Sequence, residues 1–396
     1  MSNSNTRLIA GHAGAGRRSR RLAVAAAAIG GLAVVAVVVV LVIGPTGHSS
    51  ASAQPPARPT HAPVAPPSVA SPPPPNPNPL SPGMPVGSDQ YESDPFLYLS
   101  HGRYYLYTSG VPGTHAINVP VASATSFGDW TPSIEALPVL PPWAVPDFTW
   151  APDIHQFGST YVLYFTALVK GTSPAMQCIG AATGTSPLGP FNPESTPFIC
   201  QTDQGGTIDP RVFTDSDGTR WMLFKSEQNI GGANTPTKMW SQRLTPDGLG
   251  LIGQPSLLMQ PDEPWQGTIV EAPDMVKTDG GYWVAYSGNW FNGPDYAIGM
   301  AHCAGPAGPC SDTSPSPLLG SNSQGAGPGE ASLYQDGSGV WLLYSPWRSL
   351  APQPDIPPRP VFITKLGFSA GGPYLAAGGP PANLGLPKSS PSRSAP

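Results

Sequence analysis

The feature that most constrains the fold of this chain is a unit of about 60 residues that recurs five times after Met84. Each unit has a short strand-like segment, a turn of Gly, Ser or Asp, and an aromatic-rich segment in which alternate residues would share a face. The aromatic-rich segments are YYLYTS, YVLYFTA, WMLFKS, YWVAYS and VWLLYS. Matching the polar residue near the start of each unit aligns Asp94, Asp153, Asp209, Asp274 and Ser332.

This repeat predicts an all-β fold, a five-bladed β-propeller over residues 86–377. Propeller blades are typically built from repeats of about 40–50 residues with four short strands each. Longer loops would account for the greater length of the units in this chain. The sequence shows no long amphipathic helix after Gly44. A β-sandwich would not explain the repeat period, and β-helix repeats are far shorter.

The N-terminal region has the composition of a targeting segment. A basic segment, residues 1–21, precedes an uncharged apolar run over residues 22–44. Such a run can cross a bilayer, and its basic N-terminal flank favours a cytoplasmic N-terminus with the rest of the chain exported. Two outcomes stay open: a retained transmembrane anchor, or a signal sequence cleaved near Ala53. We therefore expect an extracytoplasmic domain that is anchored in the cell membrane or secreted.

Two further segments lack the composition of a packed core. Residues 45–85 are rich in proline and predict an extended linker, and residues 378–396 predict a disordered tail. The net charge of -5 at pH 7 gives no basic surface for nucleic acid. We expect a monomer that contacts the membrane only through its N-terminal helix.

The four cysteines all lie in the part of the chain predicted to be exported. Pairing Cys178 with Cys200, and Cys303 with Cys310, closes the shortest loops and costs the least entropy. Disulfides would agree with an oxidising compartment, although four buried free thiols stay an alternative. No spacing of the cysteines indicates a zinc site.

Carboxylates near the start of the repeat units suggest a catalytic site. The first strand of each propeller blade lines the central channel, so Asp94, Asp153, Asp209 and Glu271 would converge there. Carboxylates crowded in a partly desolvated funnel repel one another, which raises a pKa and suits acid–base chemistry. Glycoside hydrolysis needs two such groups. The alternative is that these Asp-Pro and Pro-Asp steps are ordinary turns.

Four short motifs, one per unit and in order, resemble glycoside hydrolase family 43. They are Asp-Pro at residues 94–95, Trp-Ala-Pro-Asp at 150–153, Ile-Asp-Pro at 208–210 and Glu-Ala-Pro at 271–273. The resemblance implies a five-bladed propeller hydrolase of the group that includes arabinofuranosidases, xylosidases and arabinanases. It also implies that Asp94 is the general base, that Glu271 is the general acid, and that Asp209 orients the acid and modulates its pKa. The family inverts the anomeric configuration and needs no cofactor.

Further substrate contacts are predicted around these carboxylates. Trp150 and Trp290 are aromatics near loop ends, and Asp153 belongs to the second motif. Arg359 resembles a late arginine of the family that contacts substrate. Glu330 stands where the family commonly has a histidine after Gly-Pro-Gly, and this extra carboxylate could bind Ca²⁺ in the channel. For each of the tryptophans, packing between blades is the alternative.

The sequence therefore predicts an exported glycosidase that cleaves arabinofuranosidic or xylosidic bonds in a carbohydrate substrate. A catalytically silent carbohydrate-binding propeller is the alternative, and Glu330 keeps it open. A glycoside phosphorylase would want a basic phosphate pocket, and no cluster of Arg, Lys or His accompanies the motifs. A retaining fructan hydrolase would place its two carboxylates closer together than an inverting enzyme does.

Overall fold

The computed structural model describes residues 84–86, 92–110, 117–127, 130–229, 235–348 and 359–376. The predicted basic segment, apolar run and tail lie outside these residues, as does nearly all of the linker. The described residues form β-strands and two short 3-10 turns, Thr202–Gln204 and Pro264–Gln266. In these residues, no helix combines the length and the apolar character needed to span a bilayer.

The strands form five separate antiparallel sheets, each made mainly of consecutive strands. Blade 1 contains β2 to β5, which are Phe96–Ser100, Arg103–Tyr107, Pro120–Ala124 and Ile134–Glu135. Blade 2 contains β6 to β9, which are Ala144–Phe157, Thr160–Val169, Gln177–Gly184 and Asn192–Pro193. Blade 3 contains β10 to β13, which are Thr207–Thr214, Arg220–Ser226, Lys238–Leu244 and Leu251–Met259. Blade 4 contains β14 to β17, which are Val270–Thr278, Gly281–Gly288, Ala297–Cys303 and Cys310–Asp312.

Blade 5 is built from both ends of the described chain. Its strands are β1, β18, β19, β20 and β21, which are Met84–Val86, Ala326–Asp336, Gly339–Trp347, Val361–Ser369 and Gly372–Ala376. The early strand β1 pairs with the first part of β20, and β21 pairs with its second part. The innermost strands β2, β6, β10, β14 and β18 contact one another in a closed cycle. The predicted five-bladed propeller is therefore confirmed.

Aromatic and aliphatic side chains fill the space between adjacent blades. On β3, Tyr105 and Tyr107 pack toward blade 2, whereas Tyr104 and Leu106 pack toward blade 5. This alternation follows from the two-residue period of a strand and explains why the aromatic-rich segments are apolar on both faces. Each blade is therefore held by side chains that two neighbouring blades share.

Both predicted disulfides are present. Cys178 on β8 bonds to Cys200, and Cys303 at the end of β16 bonds to Cys310 at the start of β17. All four cysteines are paired in this way, so the alternative of free thiols was wrong.

The innermost strands of blades 2 to 5 carry a bulge at the same place. In blade 3, Ile208 pairs with Lys225 and Arg211 pairs with Leu223, so three steps on β10 match two steps on β11. The residue after the first of these pairs has a positive φ, which is uncommon for any residue but glycine and is disfavoured before proline. One such residue occurs per blade: Asp94, Ala151, Asp209, Ala272 and Glu330. The bulge turns the strand and re-aims the side chains beside it.

This register corrects the alignment predicted from the sequence. The positions equivalent to Asp209 are Ala151 and Ala272, whereas Asp153 and Asp274 are equivalent to Arg211. The predicted alignment was therefore wrong by two residues in blades 2, 4 and 5. An aspartate lies beside a proline in both Asp-Pro and Ala-Pro-Asp, and the proline, not the aspartate, marks the equivalent position.

Arg211 joins four blades near the axis of the propeller. From blade 3, its guanidinium donates hydrogen bonds to the carbonyl oxygens of Pro152 at 3.0 Å and Pro95 at 3.1 Å. It also lies 3.7 Å from the Asp274 carboxylate and 4.9 Å above the Phe96 ring. A buried guanidinium held in this way satisfies its donors with groups from blades 1, 2 and 4.

Candidate active site

A cavity of about 450 Å³ is lined by residues from all five blades. It brings together most of the residues predicted from the sequence, and other polar and aromatic side chains join them. The lining residues are Ser93, Asp94, Trp150, Thr166, Gln177, Ile208, Asp209, Lys225, Glu227, Asn229, Ile269, Glu271, Trp290, Phe291, Glu330 and Arg359. The cavity thus collects carboxylates from blades 1, 3, 4 and 5.

Asp153 is the predicted site residue that the structure does not place in this cavity. Its side chain is fully buried, and one carboxylate oxygen accepts the backbone N–H of Val212 in blade 3 at 2.6 Å. Asp274 does the same in blade 4, accepting the N–H of Leu333 in blade 5 at 2.8 Å. The aspartate of each Ala-Pro-Asp step therefore ties one innermost strand to the next, which explains the residue without a substrate contact.

Asp94 is oriented by a hydroxyl group at the end of blade 1. The Ser109 hydroxyl donates to the Asp94 carboxylate and accepts the backbone N–H of Ala151 at 2.9 Å. Asp94 has a φ of 55° before Pro95, a strained conformation that the surrounding bonds must hold. The side chain is nearly buried but still borders the cavity.

Asp209 lies beside Glu271 at the border of blades 3 and 4. Its carboxylate accepts the N–H of Ala272 at 2.9 Å, the residue that follows Glu271 in the chain. Burial raises the pKa of Asp209 to about 7, and the charges of Glu271 and Asp94 act in the same direction. Lys225 and the Ala272 N–H oppose this change without cancelling it. Asp209 is therefore a carboxyl group that exchanges its proton near neutral pH.

Glu271 is held by a different donor on each of its two oxygens. The Lys225 ammonium lies 2.7 Å from Oε2, and the Tyr296 hydroxyl lies 2.8 Å from Oε1. Lys225 also bonds to Glu227 at 2.7 Å. Burial would lower the pKa of Lys225, but Glu227, Glu271 and Asp209 outweigh burial and raise it. Lys225 is therefore a permanent cation beside Glu271.

Sequence reasoning missed Lys225 and Tyr296. Lys225 pairs with Ile208 in the position that Ser109, Thr166, Ser287 and Ser345 occupy in the other blades. The sequence did carry a signal, because the WMLFKS segment has a lysine where the other four units have Ser or Thr. Tyr296 precedes β16 and gave no comparable signal, because its contacts come from other parts of the chain.

Glu330 occupies the bulge position of blade 5, equivalent to Asp94 and Asp209. Its N–H donates to the Ser287 hydroxyl at 2.9 Å, and its Oε1 lies 2.7 Å from the Tyr296 hydroxyl. Burial raises the pKa of Glu330 well above its ordinary value, and the charges of neighbouring carboxylates add to this effect.

The remaining predicted contacts surround the carboxylates. Trp290 is 46% exposed and Phe291 45% exposed, so both present open aromatic faces at the edge of the cavity. Arg359 is only 2% exposed, and its guanidinium donates to the Ser345 carbonyl at 2.9 Å and lies over the Trp347 ring. Trp150 lines the same cavity.

The predicted calcium ligand Glu330 contacts the Tyr296 hydroxyl through Oε1. Across the described ranges, no group of three or more His, Cys, Asp or Glu side chains has an arrangement that could hold a metal ion. The carboxyl groups that line the cavity can perform proton transfer.

Comparison with known proteins gives a consistent result. The family model described as Glycosyl hydrolases family 43 matches residues 83–374. The chain is 26% identical over 286 residues to β-D-galactofuranosidase xynD of Aspergillus niger, covering 67% of this chain and 75% of that protein. It is 24% identical over 367 residues to extracellular endo-α-(1→5)-L-arabinanase 2 of Bacillus subtilis, covering 76% and 74%. A thermostable family-43 glycoside hydrolase of known structure aligns with a TM-score of 0.65 and 27% identity, covering 78% of this chain and 99% of that one.

Proposed function

This chain belongs to the glycosyl hydrolases family 43 and is a glycosidase, and we propose that it cleaves arabinofuranosidic or xylosidic bonds by an inverting single displacement. The observation that carries the proposal is the set of carboxyl groups, Asp94, Asp209 and Glu271, that lines one cavity from three different blades. An inverting glycosidase requires one carboxylate that activates water and one carboxylic acid that protonates the departing oxygen.

In this proposal Asp94 is the general base. It removes a proton from the attacking water as the water oxygen bonds to the anomeric carbon. Ser109 donates to the Asp94 carboxylate and is itself fixed by the Ala151 N–H, so the base is oriented before substrate binds. Preorganisation of this kind lowers the entropic cost of reaching the transition state.

Glu271 is the general acid and gives its proton to the oxygen of the departing sugar. Asp209 is held against the chain next to Glu271 by the Ala272 N–H. In this proposal Asp209 orients the acid and modulates its pKa. The proton is restored from solvent after product leaves.

The choice of sugar rests on the cavity and on the relatives. Trp290 and Phe291 offer exposed aromatic faces on which the apolar face of a sugar ring can pack. The similar proteins are named for action on galactofuranosides and on α-(1→5)-linked L-arabinan, so a furanoside, and an arabinofuranoside in particular, is the first substrate class to test. The proposed partner is therefore an arabinose- or xylose-containing glycan.

We also propose that the enzyme acts outside the cytoplasm as a monomer, held by the apolar run at residues 22–44 or released by cleavage near Ala53. Two disulfides support an oxidising compartment, since such bonds are rare in the cytosol. Cell fractionation with an antibody to the propeller tests this proposal. Recovery of the chain in the cytosolic fraction would contradict it.

The activity is tested with the purified full chain on aryl α-L-arabinofuranoside, β-D-xyloside, α-D-arabinofuranoside and β-D-galactofuranoside. We expect turnover of at least one of them, reduced about a hundredfold or more in Asp94→Ala because general base catalysis is worth about that much. Asp217→Asn, on an exposed turn, is the matched control. NMR of the first-formed anomer then decides between inversion and retention.

The competing function, a carbohydrate-binding propeller without catalysis, makes the opposite prediction. The folded full chain would bind a polysaccharide and release no product from it or from any aryl glycoside. A digest of arabinan and xylan distinguishes this outcome from an endo-acting enzyme, which ignores short substrates but degrades the polymer.

A further inference from the structure

Hydroxyl groups at one position of the second strand connect adjacent blades. The Ser109 hydroxyl accepts the N–H of Ala151, and the Thr166 hydroxyl accepts the N–H of Asp209. The Ser287 hydroxyl accepts the N–H of Glu330 in the same way. Each bond satisfies the backbone N–H of the bulge residue in the next blade, which would otherwise be buried without an acceptor.

Blade 3 departs from this pattern. Lys225 stands at the hydroxyl position and cannot accept a hydrogen bond, and the next bulge residue, Ala272, donates its N–H to the Asp209 carboxylate instead. Asp209 thus replaces the hydroxyl as the connection between blades 3 and 4. Position 225 has no need to serve that connection, and its side chain reaches Glu271.

Lys225 is almost completely buried, with a side-chain exposure of 1%, and its ammonium bridges Glu271 and Glu227 at 2.7 Å each. Gln177 in turn donates to the other oxygen of Glu227 at 3.3 Å. Burying an ammonium is costly unless charges and acceptors compensate it. The two carboxylates supply that compensation, so the Lys225 charge is fixed in place next to the proposed acid.

We infer that Lys225 is a positioning residue for the general acid: it holds Oε2 of Glu271 and stabilises the carboxylate that remains when the Glu271 proton has moved to the departing sugar oxygen. The proton count balances, since Lys225 keeps its own protons and one proton passes from Glu271 to the leaving group. This inference rests on the proposed function, in which Glu271 is the acid.

Other groups around Glu271 set the background for this effect. The charge of Glu271 contributes to the raised pKa of Asp209, the Tyr296 hydroxyl donates toward Oε1 of Glu271, and Glu330 lies beyond Tyr296. Lys225 is bonded directly to Glu271, and Glu227 partly offsets its charge. Arg359 is a second cation at this cavity and acts on Tyr296 and Glu330. Removing the Lys225 charge therefore favours the protonated form of Glu271 and makes it a weaker acid.

The test compares Lys225→Met, Lys225→Arg and the double variant Lys225→Met/Glu227→Gln in the full chain. We follow the pH profile of kcat/KM, in which the basic limb is the fall in activity as the general acid loses its proton. For Lys225→Met we expect this basic limb to move to higher pH by about one unit or more. Hydrolysis of a sugar leaving group falls about tenfold to a hundredfold, whereas an aryl group of low pKa changes less than about threefold, because it barely needs an acid. Lys225→Arg keeps the wild-type limb because it keeps the charge.

The double variant separates positioning from stability. Lys225→Met alone leaves Glu227 buried without a cation and lowers the melting temperature, and Glu227→Gln removes that cost while the basic limb stays shifted. Lys170→Met, at an exposed position, is the matched control. A wild-type limb in the double variant, or equal losses for sugar and aryl leaving groups, overturns the inference. If the wild-type chain hydrolyses no glycoside, the proposed function has failed before any Lys225 variant is compared.

Discussion

At the scale of single residues, the hydrogen bonds of Tyr296 indicate which neighbouring carboxyl group carries a proton. Its hydroxyl lies within hydrogen-bonding distance of Oε1 of Glu271 and Oε1 of Glu330. A hydroxyl has one hydrogen and can donate to only one of them, so the other contact requires a protonated carboxyl. Glu271 already accepts from Lys225 at its other oxygen, and burial among carboxylates favours the proton on Glu330, whose pKa is raised well above its ordinary value.

Glu330→Gln should consequently be a mild substitution. The amide is neutral and can donate to the Tyr296 oxygen as the protonated carboxyl does, so we expect kcat/KM at neutral pH within about threefold of wild type. Infrared spectroscopy at pH 7 should show the C=O stretch of a protonated carboxyl that disappears in this variant. Glu330→Gln with activity reduced a hundredfold and an unchanged infrared band would mean that Glu330 works as an anion.

The pKa of Asp209 has a consequence for stability. Burial and neighbouring carboxylates raise that pKa to about 7 in the folded protein, so the folded state binds a proton more tightly than the unfolded chain does. The stability linked to this proton is complete below about pH 4 and is lost as the pH rises through about 7. Asp274, whose pKa burial raises to about 6, contributes in the same direction.

We expect the free energy of unfolding to fall between about pH 4 and 7, and Asp209→Asn to flatten part of that fall. Urea unfolding at a series of pH values measures both. Asp217→Asn should leave the slope unchanged, since the pKa of Asp217 is lowered by hydrogen bonds from Thr219 and it stays ionised across this range. A slope that is identical in wild type and Asp209→Asn would contradict the assignment.

At the scale of strands, the bonds from hydroxyl groups to bulge residues connect the blades. Thr166→Val keeps the shape of the side chain but removes the acceptor of the Asp209 N–H. We expect a loss of about 1–3 kcal/mol in the free energy of unfolding, the usual cost of a buried donor without a partner. Thr160→Val, at the partly exposed start of the same strand, is the control and should change stability little.

Thr166→Val should also reduce activity more than its stability loss explains, because it releases the backbone of Asp209 beside Glu271. The measurement is kcat/KM at a temperature where both variants are fully folded. Equal activities for the two valine variants would show that this bond serves stability alone.

Strand properties also decide how far the sequence could be interpreted. The period of the repeat, the aromatic alternation and the short cysteine spacings depend on residues close in the chain, so the five blades and both disulfides could be predicted. The convergence of Asp94, Asp209 and Glu271 on one cavity follows from the propeller itself. The bulge register could not be predicted, since an aspartate beside a proline occurs at two different positions of the strand.

The contacts of Lys225 and Tyr296 were beyond sequence reasoning for another reason. Each joins residues from different strands or different blades, which the spacing of residues along the chain does not reveal. The substitution of a lysine for a hydroxyl residue within a repeat was visible, but its meaning depends on Asp209 accepting the Ala272 N–H. Aligning the repeat units on their prolines, instead of on their aspartates, would have shown that Lys225 replaces a hydroxyl residue.

At the scale of the whole propeller, Arg211 in blade 3 contacts three other blades. Its guanidinium bonds to blades 1 and 2 and faces Asp274 in blade 4. Arg211→Met removes these donors and leaves the Asp274 carboxylate buried beside an apolar chain. We expect a loss of about 3–5 kcal/mol, as for other broken buried ion pairs.

Differential scanning calorimetry of the Arg211→Met full chain checks this, with Arg220→Met as the control because Arg220 is partly exposed on β11. The double variant Arg211→Met/Asp274→Asn should recover part of the loss, since it removes the uncompensated charge. A melting temperature of Arg211→Met equal to that of the control would mean that the blades do not depend on this guanidinium.

Blade 5 is assembled from β1 at one end of the described chain and from β20 and β21 at the other. The termini of the propeller could therefore be moved to another loop without changing how its strands pair. Joining the end of β21 to the start of β1 by a linker and opening the exposed turn between β10 and β11 would keep every strand pair. During synthesis on the ribosome, Met84–Val86 has no partner until Val361–Ile363 has emerged. The first of the described strands is therefore among the last to be paired, and the ring closes only when blade 5 is complete.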